Sequence, residues 1–342
     1  MTEESTRKKA KLLEIGEIFI PKEIDMPCFA SLSRAGPDTG MGAHAFQFGE
    51  SRVKLTVSRD PEARLRLAEN PSGFIILLDG RKFLGDVRIL PLAAHSPNQA
   101  FLNLSGECSM GCAFCSMPRP GKGEFLSTQR ALRIIDISSK YPGFGAVALT
   151  SGIPGPVGEA NRQMAKAVKS IRAKYPDIPI GVEAYFEDMA DILRFAEAGA
   201  TELKINIETW PEERFGRICP NRDFAKTLKA LEKGVTVFGW GKVTGNIILG
   251  LGETDEEVTE ALENLSAMGV MPNVRGIRIG PGNRDKLEKA LGHVPERVSG
   301  ERLLAIGKLH RKILEENSLD TREFETMCFS CRCCDIVPMV DL

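Results

Sequence analysis

Between Ala100 and Glu316 short apolar runs of strand character alternate with amphipathic runs of helical period, and the alternation recurs six times. Strand patterns fall at 100–104, 144–150, 179–184, 202–207, 243–249 and 273–279. Helical patterns fall at 127–140, 158–174, 188–198, 222–233, 254–268 and 300–316. Neighbouring strands that must each be joined by a helix run parallel, so the α/β alternation specifies a parallel sheet. Ser127 and Thr254 stand where helix caps belong, and Asp255-Glu256-Glu257 suits the positive end of a helix dipole. Six repeats are too few for a full eightfold barrel. In βα barrels function collects at the C-terminal ends of the strands, which makes those ends the place to look for chemistry.

Two segments flank this region. Residues 1–98 read as a small β-rich module, with strand-like runs at 17–20, 52–57, 74–78 and 86–90 separated by Gly, Pro and Asp. Asp79-Gly80 between the last two is a hairpin signal. The module carries no recognisable chemistry, which leaves it to shield the barrel or meet a partner. Residues 317–342 form a C-terminal extension. A net charge of −1 argues against a broad basic face for nucleic acid. The N-terminus lacks the apolar core of a signal peptide, and no apolar run is long enough to span a bilayer, so a cytoplasmic location with no membrane association is expected.

Nine cysteines in such a compartment point to metal or redox chemistry rather than a disulfide framework. Seven of them fall in two tight groups; Cys28 and Cys219 stand apart and read as structural. The first group is Cys108-Ser-Met-Gly-Cys112-Ala-Phe-Cys115, in a loop just after the first strand pattern. A cubane iron–sulfur cluster takes four thiolates. Three in one short loop can bind three irons and leave the fourth open to a non-protein ligand. Zinc is less suited, because zinc sites usually show paired CxxC knuckles rather than one triplet.

This CxxxCxxC loop, with Phe114 before its last cysteine, closely resembles that of the radical S-adenosylmethionine (SAM) enzymes. The resemblance implies a 4Fe-4S cluster on Cys108, Cys112 and Cys115 with SAM at its open iron, and a partial (β/α)6 TIM-type barrel over residues 99–316. Later motifs keep its order. Thr150-Ser151-Gly152 ends the second strand, where exposed backbone can meet the methionine amino group, although the usual Gly-Gly-Glu is absent. Asn206 and Glu208, two apart on the fourth strand, face one side and suit ribose hydroxyls. They would otherwise line a wet barrel mouth. Gly250-Leu251-Gly252, followed by Glu253-Thr254, permits close backbone approach by adenine. Glu183 ends the third strand as a further polar contact or a solvated carboxylate. Strings of this kind are similar to those of biotin and lipoyl synthases. No residue is singled out as catalytic.

The second group is Cys328-Phe-Ser-Cys331-Arg-Cys333-Cys334. It admits a structural zinc site, a redox dithiol or an auxiliary iron–sulfur cluster, of 4Fe-4S type by preference, with Ser330 or Arg332 as candidates to complete its coordination. Residues 317–327 can extend about 36 Å. That length lets the tail climb from the bottom of the barrel to its mouth.

The usual N-terminal cysteine run of lipoyl synthases is missing, since Cys28 alone precedes the loop. The pattern is similar to the archaeal-type biotin synthase-related proteins, two of which act together as a lipoyl synthase. The resemblance then implies sulfur insertion into an octanoyl chain, with the auxiliary cluster as sulfur donor. It also implies an octanoylated carrier-domain protein or peptide, a second radical SAM component and a reduced ferredoxin-type electron donor. Two other readings stay open. One is a rearranging or cleaving enzyme resembling methylornithine synthase or the hydrogenase maturase, and the other is a non-catalytic cluster carrier.

Overall fold

The computed structural model describes residues 2–342 except 29, 72, 93, 122 and 123. The chain opens with helix α1 (Glu3–Ile15), which no strand pattern of the module anticipates. Its first turns are tied by Glu3–Arg7 and Glu4–Lys8 pairs, and Thr2 caps it. Seven strands follow: β1 (Glu17–Phe19), β2 (Ser31–Leu32), β3 (Gly42–Phe48), β4 (Ser51–Ser58), β5 (Leu65–Asn70), β6 (Gly73–Leu78) and β7 (Arg81–Leu90). They form one sheet in the order β2-β3-β4-β1-β5-β6-β7, and β3 also pairs with β7, so the sheet curls into a small barrel. The expected hairpin is present: Asp79 and Gly80 both take positive φ between paired Leu78 and Arg81.

The second sheet holds six parallel strands in sequential order: β8 (Gln99–Asn103), β9 (Ala146–Thr150), β10 (Ile180–Glu183), β11 (Glu202–Lys204), β12 (Val243–Leu249) and β13 (Val270–Gly276). Among the described residues β13 and β8 do not pair, so this is a partial barrel. The sixth strand starts three residues earlier than the apolar pattern suggests. The crossover helices are α2 (Thr128–Ser138), α3 (Val157–Lys174), α4 (Ala190–Ala198), the short α5 (Glu212–Ile218) with α6 (Phe224–Phe238), and α7 (Asp255–Ala267). Beyond β13 come α8 (Arg284–Leu291), α9 (Gly300–Glu316) and, in the tail, α10 (Met327–Cys331). Ser127 caps α2, and Thr254 with Glu257 forms a capping box on α7.

Outward residues such as Val147, Val182, Leu203, Ile205 and Val243 are fully buried beneath the helices. The inward stripe is polar instead. Glu202, Lys204, Asn206 and Glu208 alternate with that apolar set and point into the barrel, as period-two geometry requires. A polar barrel interior is costly to bury and is organised around a cavity.

Candidate active site

A cavity of about 640 Å³ occupies the barrel interior. Its wall carries Cys108, Cys112 and Cys115 from the loop after β8, and Cys328, Cys331, Cys333 and Cys334 from the tail. The two groups separated by more than two hundred residues thus face one space.

The tail does not climb to the barrel mouth. It enters from the opposite end, at the start of the strands. Glu202, first residue of β11, accepts hydrogen bonds from Glu325 N and Thr326 N at 2.9 Å each, and from Thr326 Oγ1 at 2.7 Å. Gln99, first residue of β8, accepts from Met327 N and donates to Met327 O, both at 2.7 Å. These side chains satisfy buried backbone groups of the incoming chain, which is what allows a tail segment to plug a barrel. The reach of residues 317–327 permits either route, and the polar groups at the strand starts select this one.

The loop of the first group is pinned on several sides. Cys108 N donates to Pro118 O at 2.9 Å, Ser109 N to Ile153 O at 2.7 Å and Ala113 N to Ile218 O at 2.8 Å. Asn283 Nδ2 holds Phe114 O at 2.7 Å, and Lys286 holds Cys115 O. Gly111 takes φ 68°, a turn that a side chain would strain. Cys219, expected to be merely structural, lies against Cys112. The neighbouring Cys219 thiol and the Arg222 guanidinium hold the Cys112 thiol below its ordinary range, while burial lifts Cys115 to about 12. Cys28, the other isolated cysteine, donates weakly to Leu90 O.

Thr150, Ser151, Gly152, Glu183, Asn206 and Glu208 all line the cavity. Asn206 is already engaged: its amide donates to Glu183 Oε1 at 2.6 Å and accepts from Asn246 N at 3.0 Å. Glu208 is free on one side. Arg222 Nη1 approaches its Oε1 at 3.4 Å, but Oε2 is buried without a partner. Burial, opposed by Arg222, pushes this carboxyl up to about 7. Arg222 is itself stacked on Tyr185 and Phe215 at 5.2 and 5.3 Å.

Gly250, Leu251 and Gly252 are not brought to the cavity. The carboxylate of Glu253 takes the Gly250 and Leu251 amides at 2.7 Å each, and Arg302 pairs with Glu253 at 3.0 Å. Gly250 packs against Ile277 and Val298. The turn that glycine-rich spacing marked as a ligand cradle is closed upon its own acidic residue.

Cations missed by the motif reading surround the tail thiols. Lys204 Nζ lies 3.6 Å from Cys328 Sγ and 3.6 Å from Glu183 Oε1. Arg275 Nη2 lies 3.2 Å from the same sulfur and 2.7 Å from Asp335 Oδ2. Burial raises the Cys328 thiol even so, and these two cations pull it back. Lys54, from β4, lays its ammonium against the ring and carbonyl of His95, while its backbone N donates to Cys333 O at 2.8 Å. Lys204 was legible in principle, since it precedes Asn206 by two on the same strand face. Lys54 was not, because only tertiary folding brings it near. Ser330 Oγ accepts from Asn98 Nδ2 at 2.8 Å and Arg332 O from Lys9 at 2.8 Å, and neither residue lines the cavity.

Among the described residues no three His, Cys, Asp or Glu side chains stand ready-made around one point. The donor chemistry nonetheless fits thiolate-ligated iron at both ends. Each end presents three or more soft donors to the cavity, and buried oxygens of Glu208 and Asp335 lack partners beside them.

Residues 102–265 match the family described as the Radical SAM superfamily. Lipoyl synthase of Oleidesulfovibrio alaskensis is 27% identical over 209 residues, covering 55% of this chain and 68% of that protein. Biotin synthase of Cutibacterium acnes is 26% identical over 170 residues, covering 48% and 47%. The matches thus span about half to two thirds of these relatives' length. The crystal structure of methylornithine synthase superposes with a TM-score of 0.53 at 21% identity, over 64% of this chain and 62% of that one.

Proposed function

We propose that this chain, whose residues 102–265 match the Radical SAM superfamily, is a sulfur-inserting enzyme of that class, one component of a two-protein lipoyl synthase acting on an octanoyl chain. The observation that carries this reading is that both cysteine groups line a single cavity. The likeness to enzymes named lipoyl synthase and biotin synthase supports it.

Cys108, Cys112 and Cys115 would hold a 4Fe-4S cluster, and the tail group Cys328, Cys331, Cys333 and Cys334 would supply the thiolates of a second one. When bound, the first group with SAM supplies a 5′-deoxyadenosyl radical that takes hydrogen from an unactivated carbon, and the second supplies the sulfur. The chain's own residues bind, orient and shield. Thr150, Ser151 and Gly152 present strand-end backbone to the cosubstrate's amino acid part. Glu208, steadied by Arg222, has the free oxygen for a ribose hydroxyl, while Asn206 and Glu183 brace each other beside it.

Water exclusion falls to the N-terminal module. Its loop straps over the cysteine loop, where Ser116 Oγ donates to Pro37 O at 2.6 Å and Asn103 Nδ2 to Arg34 O at 2.6 Å. A closed site protects a carbon radical from quenching. The substrate would be an octanoylated carrier-domain protein or peptide, with a second radical SAM component and a reduced ferredoxin-type donor as partners.

The test is anaerobic incubation of reconstituted protein with SAM, reductant and an octanoylated carrier-domain peptide, alone and with a candidate second component. Mass spectrometry should find thiolated peptide. Cys328→Ala and Cys331→Ala proteins should still form deoxyadenosine yet add no sulfur. Thiolation by those variants overturns the tail as donor. Deoxyadenosine without sulfur gain in the intact protein favours a rearrangement reaction, and no deoxyadenosine at all favours a cluster carrier.

A further inference from the structure

The tail thiols share their end of the cavity with a carboxylate that the motif leaves out. Asp335 directly follows Cys334, lines the same cavity and is 3% exposed. Its Oδ2 is anchored twice, by Arg275 Nη2 at 2.7 Å and Asn273 Nδ2 at 3.2 Å. Its Oδ1 is buried with no partner. A carboxyl oxygen left wholly without a partner is costly to bury, which calls for a further group at that oxygen. Arg275 Nη2 also touches Cys328 Sγ at 3.2 Å, so carboxylate and thiol are gathered by one guanidinium. Donors fixed on one oxygen, with the other left unpartnered in a cavity that soft ligands line, is the arrangement of a carboxylate held for a metal by its supporting hydrogen bonds.

Cys333, by contrast, is the tail thiol least free to move. Its carbonyl accepts from Lys54 N of β4 at 2.8 Å, its sulfur donates to Cys331 O at 3.3 Å, and it packs with Cys331 against Ala45. A residue tied into a strand register cannot shift toward a centre as readily as Asp335, whose second oxygen is unpartnered at the wall of the same cavity.

The geometry points to Asp335 as an oxygen ligand of the metal centre that the tail builds, beside thiolates of Cys328, Cys331 and Cys334. This rests on the reading of the tail as an iron–sulfur site. Arg275 and Asn273 act as positioning residues that hold Oδ2 and leave Oδ1 for iron.

The test uses the full chain carrying Cys108→Ala, Cys112→Ala and Cys115→Ala, so that bound iron reports on the tail alone. After anaerobic reconstitution with iron-57 and sulfide, Mössbauer spectra should show one iron distinct from the rest, because a hard oxygen donor replaces sulfur at it. Asp335→Asn, similar in size and still able to accept from Arg275, should abolish that distinct signal. It should also release iron to a chelator about tenfold faster. Asp335→Cys should retain iron but make the spectrum uniform. Arg275→Gln should leave the distinct iron visible, which a purely structural role for Asp335 would not predict. If the triple variant binds iron but Asp335→Asn leaves spectrum and release unchanged, the ligand assignment is overturned. If the triple variant binds no iron, the tail-cluster reading fails and takes this assignment with it.

Discussion

Lys9 Nζ and Asp341 Oδ2 lie 2.6 Å apart, both buried, and join the first helix to the end of the chain across 332 positions. The same ammonium holds Arg332 O at 2.8 Å, and the same carboxylate oxygen accepts Val337 N at 2.6 Å. The pair therefore fixes residues on both sides of Cys333 and Cys334. Helix α1 is a clamp for the tail that carries the second cysteine group.

Removing one partner of a buried ion pair leaves an uncompensated charge, so Lys9→Met or Asp341→Leu should cost about 3–5 kcal/mol. Urea denaturation measures the loss, and limited proteolysis should cut the tail first. The double variant should recover part of that loss, because no lone charge remains. Equal destabilisation in single and double variants would show that packing, not charge, holds the clamp.

Gly181 offers a second way to unseat the tail. It lies inside the barrel on β10, and a Cβ there would stand 2.2 Å from Thr326 Oγ1 and 2.7 Å from Met327 Cε. Gly181→Val should expel the plug while leaving the strand paired, at a cost of roughly 1–3 kcal/mol. Thiol labelling of Cys328 and Cys331 should become fast in the variant and stay slow in the parent protein. Slow labelling in both would mean that the tail is held from elsewhere.

These contacts also explain what was legible in the sequence and what was not. The six-stranded parallel sheet was readable because the outward residues of each strand, such as Leu203 and Ile205, are apolar and recur with helical segments between them. The shared inward face of Asn206 and Glu208 was readable for the same reason of period. The route of the tail was not. It depends on Glu202 and Gln99 meeting the backbone of Glu325, Thr326 and Met327, pairs separated by more than a hundred residues and marked by no local pattern. Helix α1 was overlooked although its Thr2 cap and its Glu3–Arg7 and Glu4–Lys8 pairs stand in the sequence; only its buried partner Asp341 lies at the other end of the chain. At Gly250-Leu251-Gly252 the glycine pair records backbone freedom but not what occupies the amides. Here Glu253 does.

Glu208 gives the cluster-free protein a pH dependence. Its carboxyl is raised from 4.5 to about 7, chiefly by burial. A group whose folded value is raised stabilises the fold fully below its unfolded value and loses that contribution as pH rises through the folded value. Stability should therefore fall between about pH 4.5 and 7 by on the order of 3 kcal/mol from this residue. Glu208→Gln should flatten that part of the profile, as followed by urea midpoints across the range. The same variant should weaken SAM binding by about 1–3 kcal/mol through its altered ribose contact. Asn206→Ala should weaken it less, since its amide is spent on Glu183 and Asn246.

Independence of the two cysteine groups is the remaining prediction. If each holds a four-iron cluster, the reconstituted protein should bind roughly eight irons. Cys112→Ala and Cys331→Ala should each reduce this toward four, because the loop is pinned by Ile153, Ile218 and Asn283 while the tail is pinned by Gln99, Glu202 and Lys9. None of those anchors is shared. Deoxyadenosine formation should vanish in Cys112→Ala, which leaves two loop thiolates for three irons, and persist in Cys331→Ala. Iron analysis with chromatography of deoxyadenosine separates the outcomes. Loss of all iron in either variant would mean that one centre cannot assemble without the other, and that the cavity they share couples them despite separate anchors.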